Sequence, residues 1–194
     1  MKGQITISCK NAVSGICMAQ DLMLQGKKLM NLGEYDKAKE VFLALISREP
    51  NNAEAYNKLG VINVRLGDFS EAKSMFLKAL EIKPDYSPAV SNLGNVFFEA
   101  GDMDKAEEYY KKAAAMDPDN PVPYNNLAVI YKKKKKIDKY VAYYKKSISL
   151  ENRRQREYYD DAGMADAKWQ RYGKYWWVMS IIIGAAVYFL MSGR

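Results

Sequence analysis

Residues 53–86 read AEAYNKLGVINVRLGDFSEAKSMFLKALEIKPDY and hold two helical patterns within 34 positions. In the first half, apolar residues recur at spacings of three and four, which places them on one face of a helix. Gly67 ends that pattern where a helix often closes with a left-handed residue, a conformation that glycine adopts without steric cost. A second stripe runs from Ala72 to Leu80, and Pro84 ends it because proline cannot continue a helix. The stretch therefore predicts a helical hairpin.

The hairpin recurs along the chain. Four kinds of marker share a period of 34: the glycines Gly33, Gly67 and Gly101, the alanines Ala38, Ala72 and Ala106, the aromatic residues Phe42, Phe76 and Tyr110, and the prolines Pro50, Pro84 and Pro118. A fixed period of this length is typical of solenoid arrays, in which each unit buries its apolar face only against its neighbours. The small residues predict close approach of the paired helices.

The pattern resembles the tetratricopeptide repeat: a bulky residue, Leu-Gly, an aromatic residue, an alanine, a second aromatic residue and a closing proline. In the register of that family the repeats are 19–52, 53–86, 87–120 and 121–152. The resemblance implies an all-α fold, a right-handed superhelical solenoid of about four helix-turn-helix units followed by a capping helix. The first repeat departs from the pattern at Gln25, and the fourth departs with Lys135 at the turn glycine and Tyr140 at the small alanine. Terminal repeats of solenoids are often atypical because one side lacks a neighbour.

The resemblance also implies a concave groove lined by the first helix of each repeat. The groove positions of the family, with their neighbours, fall on Met23, Lys27, Met30, Asn57, Val61, Val64, Arg65, Ser91, Asn92, Asn95, Phe98, Asn125, Asn126, Val129 and Lys132. Asparagine amides both donate and accept hydrogen bonds, so they can pair with the backbone of an extended peptide. The expected ligand is a partner protein, including an extended segment with apolar and acidic character; the alternative is a solvated groove without a partner.

Some members of the family bind the C-terminal carboxylate of heat-shock chaperones through two lysines, two asparagines and an arginine. On repeats two to four the corresponding positions hold Asn57, Val61, Asn92, Val122 and Asn126. Only Asn92 fits that clamp, and in the register of repeats one to three no residue fits. The sequence therefore argues against chaperone tails as partners.

The net charge of +7 on 194 residues comes largely from one region. Lys132, Lys133, Lys134, Lys135 and Lys136 end the first helix of the fourth repeat and fill its turn. Lysines at a helix C-terminus complement the negative end of its dipole, which explains two or three of them. The run is either a solvated patch or a contact with anionic lipid headgroups. Nothing resembles a base-reading module, so nucleic acid is not expected.

Residues 175–191 carry no charge and begin with the aromatic residues Tyr175, Trp176 and Trp177. At about 1.5 Å per residue they reach roughly 26 Å, near the lower limit for crossing hydrocarbon. The sequence predicts a transmembrane tail anchor here, followed by a short tail at 192–194. The predicted connector is a capping or juxtamembrane segment at 153–174.

The cations of the connector outnumber those beyond the anchor, so the positive-inside rule predicts a single-pass membrane protein. Its repeats would face the cytosol or an equivalent reducing compartment. Residues 1–18 form an N-terminal segment to which the sequence assigns no role.

The absence of histidine removes the side chain best suited to proton transfer near neutral pH and the commonest metal ligand. The sequence also lacks a phosphate-binding glycine loop, a cluster with metal-ligand spacing and a nucleophile motif. It therefore predicts no enzyme activity, no cofactor and no metal. The leading hypothesis is a membrane-anchored scaffold or adaptor, and the alternative is an accessory subunit or assembly factor of a multi-subunit membrane complex.

Overall fold

A computed structural model describes residues 14–161, which form eight helices joined by short turns. The helices are α1 (Ser14–Asn31), α2 (Tyr35–Arg48), α3 (Ala53–Leu66), α4 (Phe69–Ile82), α5 (Ser87–Glu99), α6 (Met103–Met116), α7 (Pro121–Lys133) and α8 (Ile137–Asp161). They form four consecutive hairpins, which we call repeats one to four. The predicted all-α repeat fold is confirmed for this part of the chain.

The four hairpin turns share one backbone geometry. A residue with positive φ follows each first helix: Gly33 (76°), Gly67 (85°), Gly101 (83°) and Lys135 (56°). The next amide then bonds the carbonyl five residues back, as in the 2.8 Å bond from Asp68 N to Asn63 O. This bond satisfies a carbonyl that the helix end leaves without an intrahelical partner. The predicted left-handed role of Gly67 is therefore confirmed.

The second helices of repeats one to three end two residues before a proline. α2, α4 and α6 stop at Arg48, Ile82 and Met116, ahead of Pro50, Pro84 and Pro118. Asn152 stands where the fourth proline would fall, and α8 continues past it to Asp161. The predicted boundary between the last repeat and the connector at 153 thus falls inside a continuous helix.

The paired helices approach closely at glycines. A Cβ atom at Gly60 would lie 2.4 Å from a ring carbon of Phe76, and one at Gly94 would lie 2.6 Å from Tyr110. Real Cβ contacts do not come this close, so each aromatic ring requires the glycine beside it. The predicted close approach of the paired helices is confirmed at Gly60 and Gly94.

Each repeat also covers the one before it. Leu93 and Val96 of α5 form a buried cluster with Phe76 of α4, and Val61 and Val64 of α3 pack against that cluster. The apolar interior is therefore continuous from one hairpin to the next, as expected for a solenoid.

The chain divides into two compact units, Met1–Ser147 and Ile148–Arg194. The described part of the second unit is the end of α8, residues 148–161. No helix within 14–161 is long and apolar enough to cross a membrane. The predicted span at 175–191, the connector beyond 161 and residues 1–13 lie outside the described residues.

Candidate partner-binding surface

Side-chain hydrogen bonds join the first helices of repeats two, three and four. Asn92 Nδ2 on α5 donates to Asn57 Oδ1 on α3 over 2.9 Å. Asn95 Nδ2 donates to Asn92 Oδ1 over 3.3 Å, and Asn126 Nδ2 on α7 donates to Asn95 Oδ1 over 3.2 Å. We call these four residues the asparagine row. Each such bond contributes about 1 kcal/mol net and fixes the orientation of the amides.

The row keeps hydrogen-bonding capacity beyond these contacts. An asparagine side chain offers two N–H donors and two acceptor lone pairs. Asn92 uses one of each in the row, and Asn126 uses a single donor. A further donor on Asn92 and the carbonyl oxygen of Asn126 can therefore serve a ligand. Both side chains are partly exposed.

A core aromatic residue completes the row, and the sequence reading missed this role. Tyr110 is 2% exposed, and its hydroxyl donates to Asn95 Oδ1 over 2.8 Å. The signal was present in the sequence: repeat two pairs Phe76 with Val61, and repeat three changes both positions, to Tyr110 and Asn95. Burial raises the pKa of the Tyr110 hydroxyl, which therefore stays protonated as a donor at neutral pH.

The predicted groove residues differ in their access to solvent. Asn57 and Ser91 are buried, each 4% exposed, and Asn92 of the following repeat bonds Asn57. The partly exposed group is Met23, Lys27, Met30, Val61, Val64, Asn92, Asn95, Phe98 and Asn126, and the exposed group is Arg65, Asn125, Val129 and Lys132. Contact of these residues with a partner stays a prediction. Asn57 can contribute only through the row, and Ser91 is buried outside the row.

At the N-terminal end of this surface, one salt bridge links repeats one and two. Lys27 Nζ on α1 lies 2.8 Å from Glu54 Oε1 on α3. Met23 and Lys27 line an open cavity of about 450 Å³ beside this pair. The two side chains are both more than a third exposed, so the pair contributes little to stability.

The five consecutive lysines do not share one environment. Lys133 Nζ lies 4.2 Å from the ring centroid of Phe98, and Lys132 Nζ lies 6.0 Å from that of Tyr140. Lys135 holds the left-handed turn, and Lys136 is exposed. Lys134 differs from a solvated lysine, since only 22% of its side chain is exposed and it is ion-paired.

Lys134 is held by carboxylates of the preceding repeat. Its Nζ lies 2.7 Å from both Asp104 Oδ1 and Glu107 Oε2 on α6. Glu107 also accepts from the hydroxyl of Tyr131 over 2.6 Å and pairs with Lys111 at 2.6 Å. Partial burial alone would raise the pKa of Glu107, but the hydrogen bonds from Lys111, Lys134 and Tyr131 outweigh it and lower the pKa to about 2. The hydrogen bonds that Lys134 donates to Asp104 and Glu107 raise the pKa of Lys134.

Three family models match the chain over the helices that form this surface. Tetratricopeptide-repeat models match residues 23–87 and 123–154, and a model described as TPR repeat matches residues 94–135. The chain carries tetratricopeptide repeats. The matches include Asn57, Asn95, Asn126 and the lysine run, while Asn92 lies between the matched ranges 23–87 and 94–135.

Solved tetratricopeptide-repeat structures share this fold. A crystal structure of MamA is 28% identical with a TM-score of 0.59, over 71% of this chain and 81% of MamA. PilF of Pseudomonas aeruginosa is 19% identical with a TM-score of 0.64, over 71% of this chain and 63% of that one. The first TPR of Spaghetti, bound to the HSP90 peptide SRMEEVD, is 24% identical with a TM-score of 0.55, over 60% of this chain and 92% of that one. No curated protein matches the sequence.

Proposed function

We propose that this protein is a membrane-anchored scaffold that binds partner proteins along the asparagine row and holds them at a membrane. The observation that carries the proposal is the row itself, which orders amide groups of three consecutive repeats and leaves donors and acceptors on Asn92 and Asn126 for a ligand. Ordered amides suit the backbone of an extended peptide, whose N–H and C=O groups need both kinds of partner.

The side chains beside the row favour an apolar and acidic peptide. Val61, Val64 and Phe98 are partly exposed and offer apolar contacts, while Arg65 and Lys132 are exposed cations. The Spaghetti structure supports a peptide as the class of ligand, because a repeat domain of similar fold holds one there. The lysine and arginine positions of the chaperone-tail clamp are not matched here, so a different peptide is proposed.

The membrane part of the proposal is supported by the sequence of residues 175–191, which is uncharged and begins with an aromatic belt. In this proposal the repeats face the cytosol or an equivalent reducing compartment. Removal of 175–194 should shift the protein from the membrane pellet to the soluble fraction after carbonate extraction. Protease added to intact membranes from the cytosolic side should digest the repeats. Survival of the repeats would reverse the orientation, and pelleting of the truncated chain would remove the anchor.

The row is tested by substituting the residues that still have bonding capacity. The partner is first recovered with the full chain from mildly solubilised native membranes. The double variant Asn92→Leu and Asn126→Leu should weaken its binding at least tenfold in a titration. The matched control is Asn51→Leu, which changes an exposed asparagine outside the row. Equal affinity for the row variant and the control would exclude the row as the binding site.

The alternative role, an accessory subunit or assembly factor of a membrane complex, is favoured by one observation. Val129 and Tyr144 of repeat four are 39% and 43% exposed, although their equivalents in repeats two and three are more buried. Mild-detergent purification separates the two roles. A subunit co-purifies at a fixed ratio, whereas an adaptor is recovered alone or with substoichiometric partner.

A further inference from the structure

Repeat four ends in a surface that the following helix covers in the earlier repeats. We call it the end face and define it by Val122, Asn125 and Val129 on α7 and Val141 and Tyr144 on α8. All five side chains are exposed. The residues at the position of Asn125 in repeats two and three are Asn57 and Ser91, each only 4% exposed. The residue at the position of Tyr144 in repeat three is Tyr110, only 2% exposed.

The equivalent positions in repeat two receive a helix. Val61 of α3 and Phe76 of α4 stand where Val129 and Tyr144 stand in repeat four, and both belong to the contact with Leu93 and Val96 of α5. The end face therefore presents apolar groups at the positions that dock an α-helix elsewhere in this molecule. Burial of such an apolar face against the apolar face of another helix is favourable.

The charge around the end face specifies the docked helix further. Residues 121–147 carry eight lysines and one aspartate, whereas residues 87–120 carry three lysines and seven acidic residues. Lys134 is already paired with α6 and Lys133 lies over the ring of Phe98 on α5, but Lys132 and Lys145 are exposed beside the end face. A helix with acidic flanks complements these cations, and a helix with basic flanks is repelled.

The chain itself does not supply this charge. Residues 162–174, the first beyond α8, carry Lys168, Arg171 and Lys174 against Asp166. Helix α6 carries three acidic residues against three lysines, so it has no net negative charge, and its Glu107 already bonds Lys134 and Tyr131. Neither this segment nor a second copy therefore fits the end face by charge.

We infer that the end face is a second docking site, which takes an amphipathic, acidic α-helix of a partner protein. The inference rests on the scaffold role proposed above. The end face shares no residue with the asparagine row, although Lys132 borders both. A partner helix would continue the stack by one element, with its apolar stripe on Val129 and Tyr144 and its acidic flanks beside Lys132 and Lys145.

The first test measures binding of a designed probe to the full chain in nonionic detergent. The probe is a labelled 18-residue amphipathic peptide with a leucine stripe and glutamate flanks, and its counterpart carries lysine flanks. The double variant Val129→Glu and Tyr144→Glu should weaken binding of the acidic probe at least tenfold. The control variant Leu43→Glu and Leu77→Glu changes two apolar residues of similar exposure on α2 and α4 and should bind as the parent does. Equal binding of both probes, or no effect of the end-face variant, would overturn the proposal.

The second test identifies the natural occupant by photocrosslinking in the native cell. Val141 is replaced by a photoreactive phenylalanine analogue, and the crosslinked peptide is sequenced. An acidic amphipathic segment of another protein supports the inference, whereas residues 162–194 of the same chain, a second copy or a lipid adduct contradicts it. The crosslink should persist in the Asn92→Leu and Asn126→Leu background. A crosslink that persists when the row variant has lost its partner shows that the end face binds independently of the row. The two proposals can therefore fail separately.

Discussion

Repeats two and three differ from repeat four in how the same hairpin is filled. In repeats two and three a glycine on the first helix faces an aromatic ring on the second, as Gly60 faces Phe76. In repeat four the equivalent residues are Ala128 and Tyr144, and Tyr144 is 43% exposed while Ala128 is buried. The Cβ of Ala128 is incompatible with a ring contact as close as that of Gly60 with Phe76. The hairpin therefore keeps its backbone, but Tyr144 does not fill the interior as Phe76 does.

Stacked tyrosines take over that interior in repeat four. The rings of Tyr131 and Tyr143 lie 5.3 Å apart at an interplanar angle of 9°. Tyr124 also stacks on Tyr143, with centroids 6.5 Å apart at an interplanar angle of 24°. Aromatic pairs at such distances contribute about 0.5–1.5 kcal/mol beyond the area they bury. All four repeats keep the same turn geometry, whereas the interior can be filled either by a glycine–aromatic contact or by stacked tyrosines.

The largest effect is expected where a side chain is added to the close contact of repeat two. Gly60→Val should lower the free energy of unfolding by about 2–3 kcal/mol, because its side chain overlaps the ring of Phe76. Urea denaturation of the full chain in nonionic detergent, followed by circular dichroism, measures the change. In a Phe76→Ala background the same substitution should cost at least about 1 kcal/mol less, since the clashing ring is gone.

In the fourth repeat the reverse substitution, alanine to glycine, should lower the free energy of unfolding. Ala128→Gly removes a Cβ that meets no close aromatic ring. It should lower the free energy of unfolding by about 1 kcal/mol, because glycine makes the unfolded chain more flexible. A stabilising effect of Ala128→Gly would mean that Tyr144 moves into the interior, so that repeat four is filled in the same way as repeat two.

The junction between repeats three and four should depend on pH. The pKa of Glu107 falls from its ordinary value of 4.5 to about 2 in the folded chain. The ionised carboxylate therefore stabilises the folded chain above about pH 4.5, and this contribution is lost as the pH falls toward 2. The loss should be about 2 kcal/mol, the magnitude for hydrogen bonds to a charged group. Urea denaturation across this range should give a flatter pH dependence for Glu107→Gln than for the parent.

The control for the junction is the neighbouring exposed residue. Glu108→Gln also removes one carboxylate from α6, but the structure gives Glu108 none of the contacts that hold Glu107. Its pH dependence should follow the parent chain. Matching curves for Glu107→Gln and the parent would show that Lys134 does not bind α6 in solution.

The backbone of the repeats was predictable from the sequence because it rests on local signals. Gly67 marks the turn and Pro84 the end of the second helix, and both act within a few residues of themselves. The same logic explains the long α8, since Asn152 replaces a proline. The sequence shows that no proline ends the second helix of repeat four, but it does not show how far that helix continues.

The candidate site was less predictable because its side chains bond across repeats. Asn57 was expected to face a ligand, yet Asn92 of the next repeat bonds it and it lies buried. Lys134 was one of five lysines in the run, and only the fold brings it to carboxylates about 30 positions away. Positions within a family register locate a surface, whereas contacts between neighbouring repeats decide which groups remain available to a partner.

A smaller effect is expected at a polar residue inside repeat two. Asn63 is 1% exposed and its Oδ1 has no hydrogen-bond partner among the described residues, whereas Tyr131 at the same position of repeat four bonds Glu107. Asn63→Leu should raise the free energy of unfolding by about 1–2 kcal/mol, because a buried acceptor without a partner is replaced by an apolar group of similar size. The matched change Asn57→Leu should instead destabilise, since Asn92 loses its acceptor. Destabilisation by both changes to the same extent would place an unseen partner at Asn63.

The smallest effect concerns the turns, where the four repeats agree in geometry but differ in residue. Lys135 adopts φ of 56°, while its counterparts are glycines at 76–85°. Lys135→Gly should stabilise the chain by about 0.5–1 kcal/mol, because a left-handed conformation strains a residue with a Cβ. Apart from Gly67 and its two chain neighbours, no residue has a heavy atom within 4 Å of a Cβ built at Gly67. The reverse change Gly67→Lys therefore isolates the same conformational cost and should destabilise by about 1 kcal/mol. Denaturant titration of both variants measures the pair. If Lys135→Gly leaves the free energy of unfolding unchanged while Gly67→Lys lowers it, the fourth turn relaxes its backbone in solution and repeat four differs from the others in its turn as well as its interior.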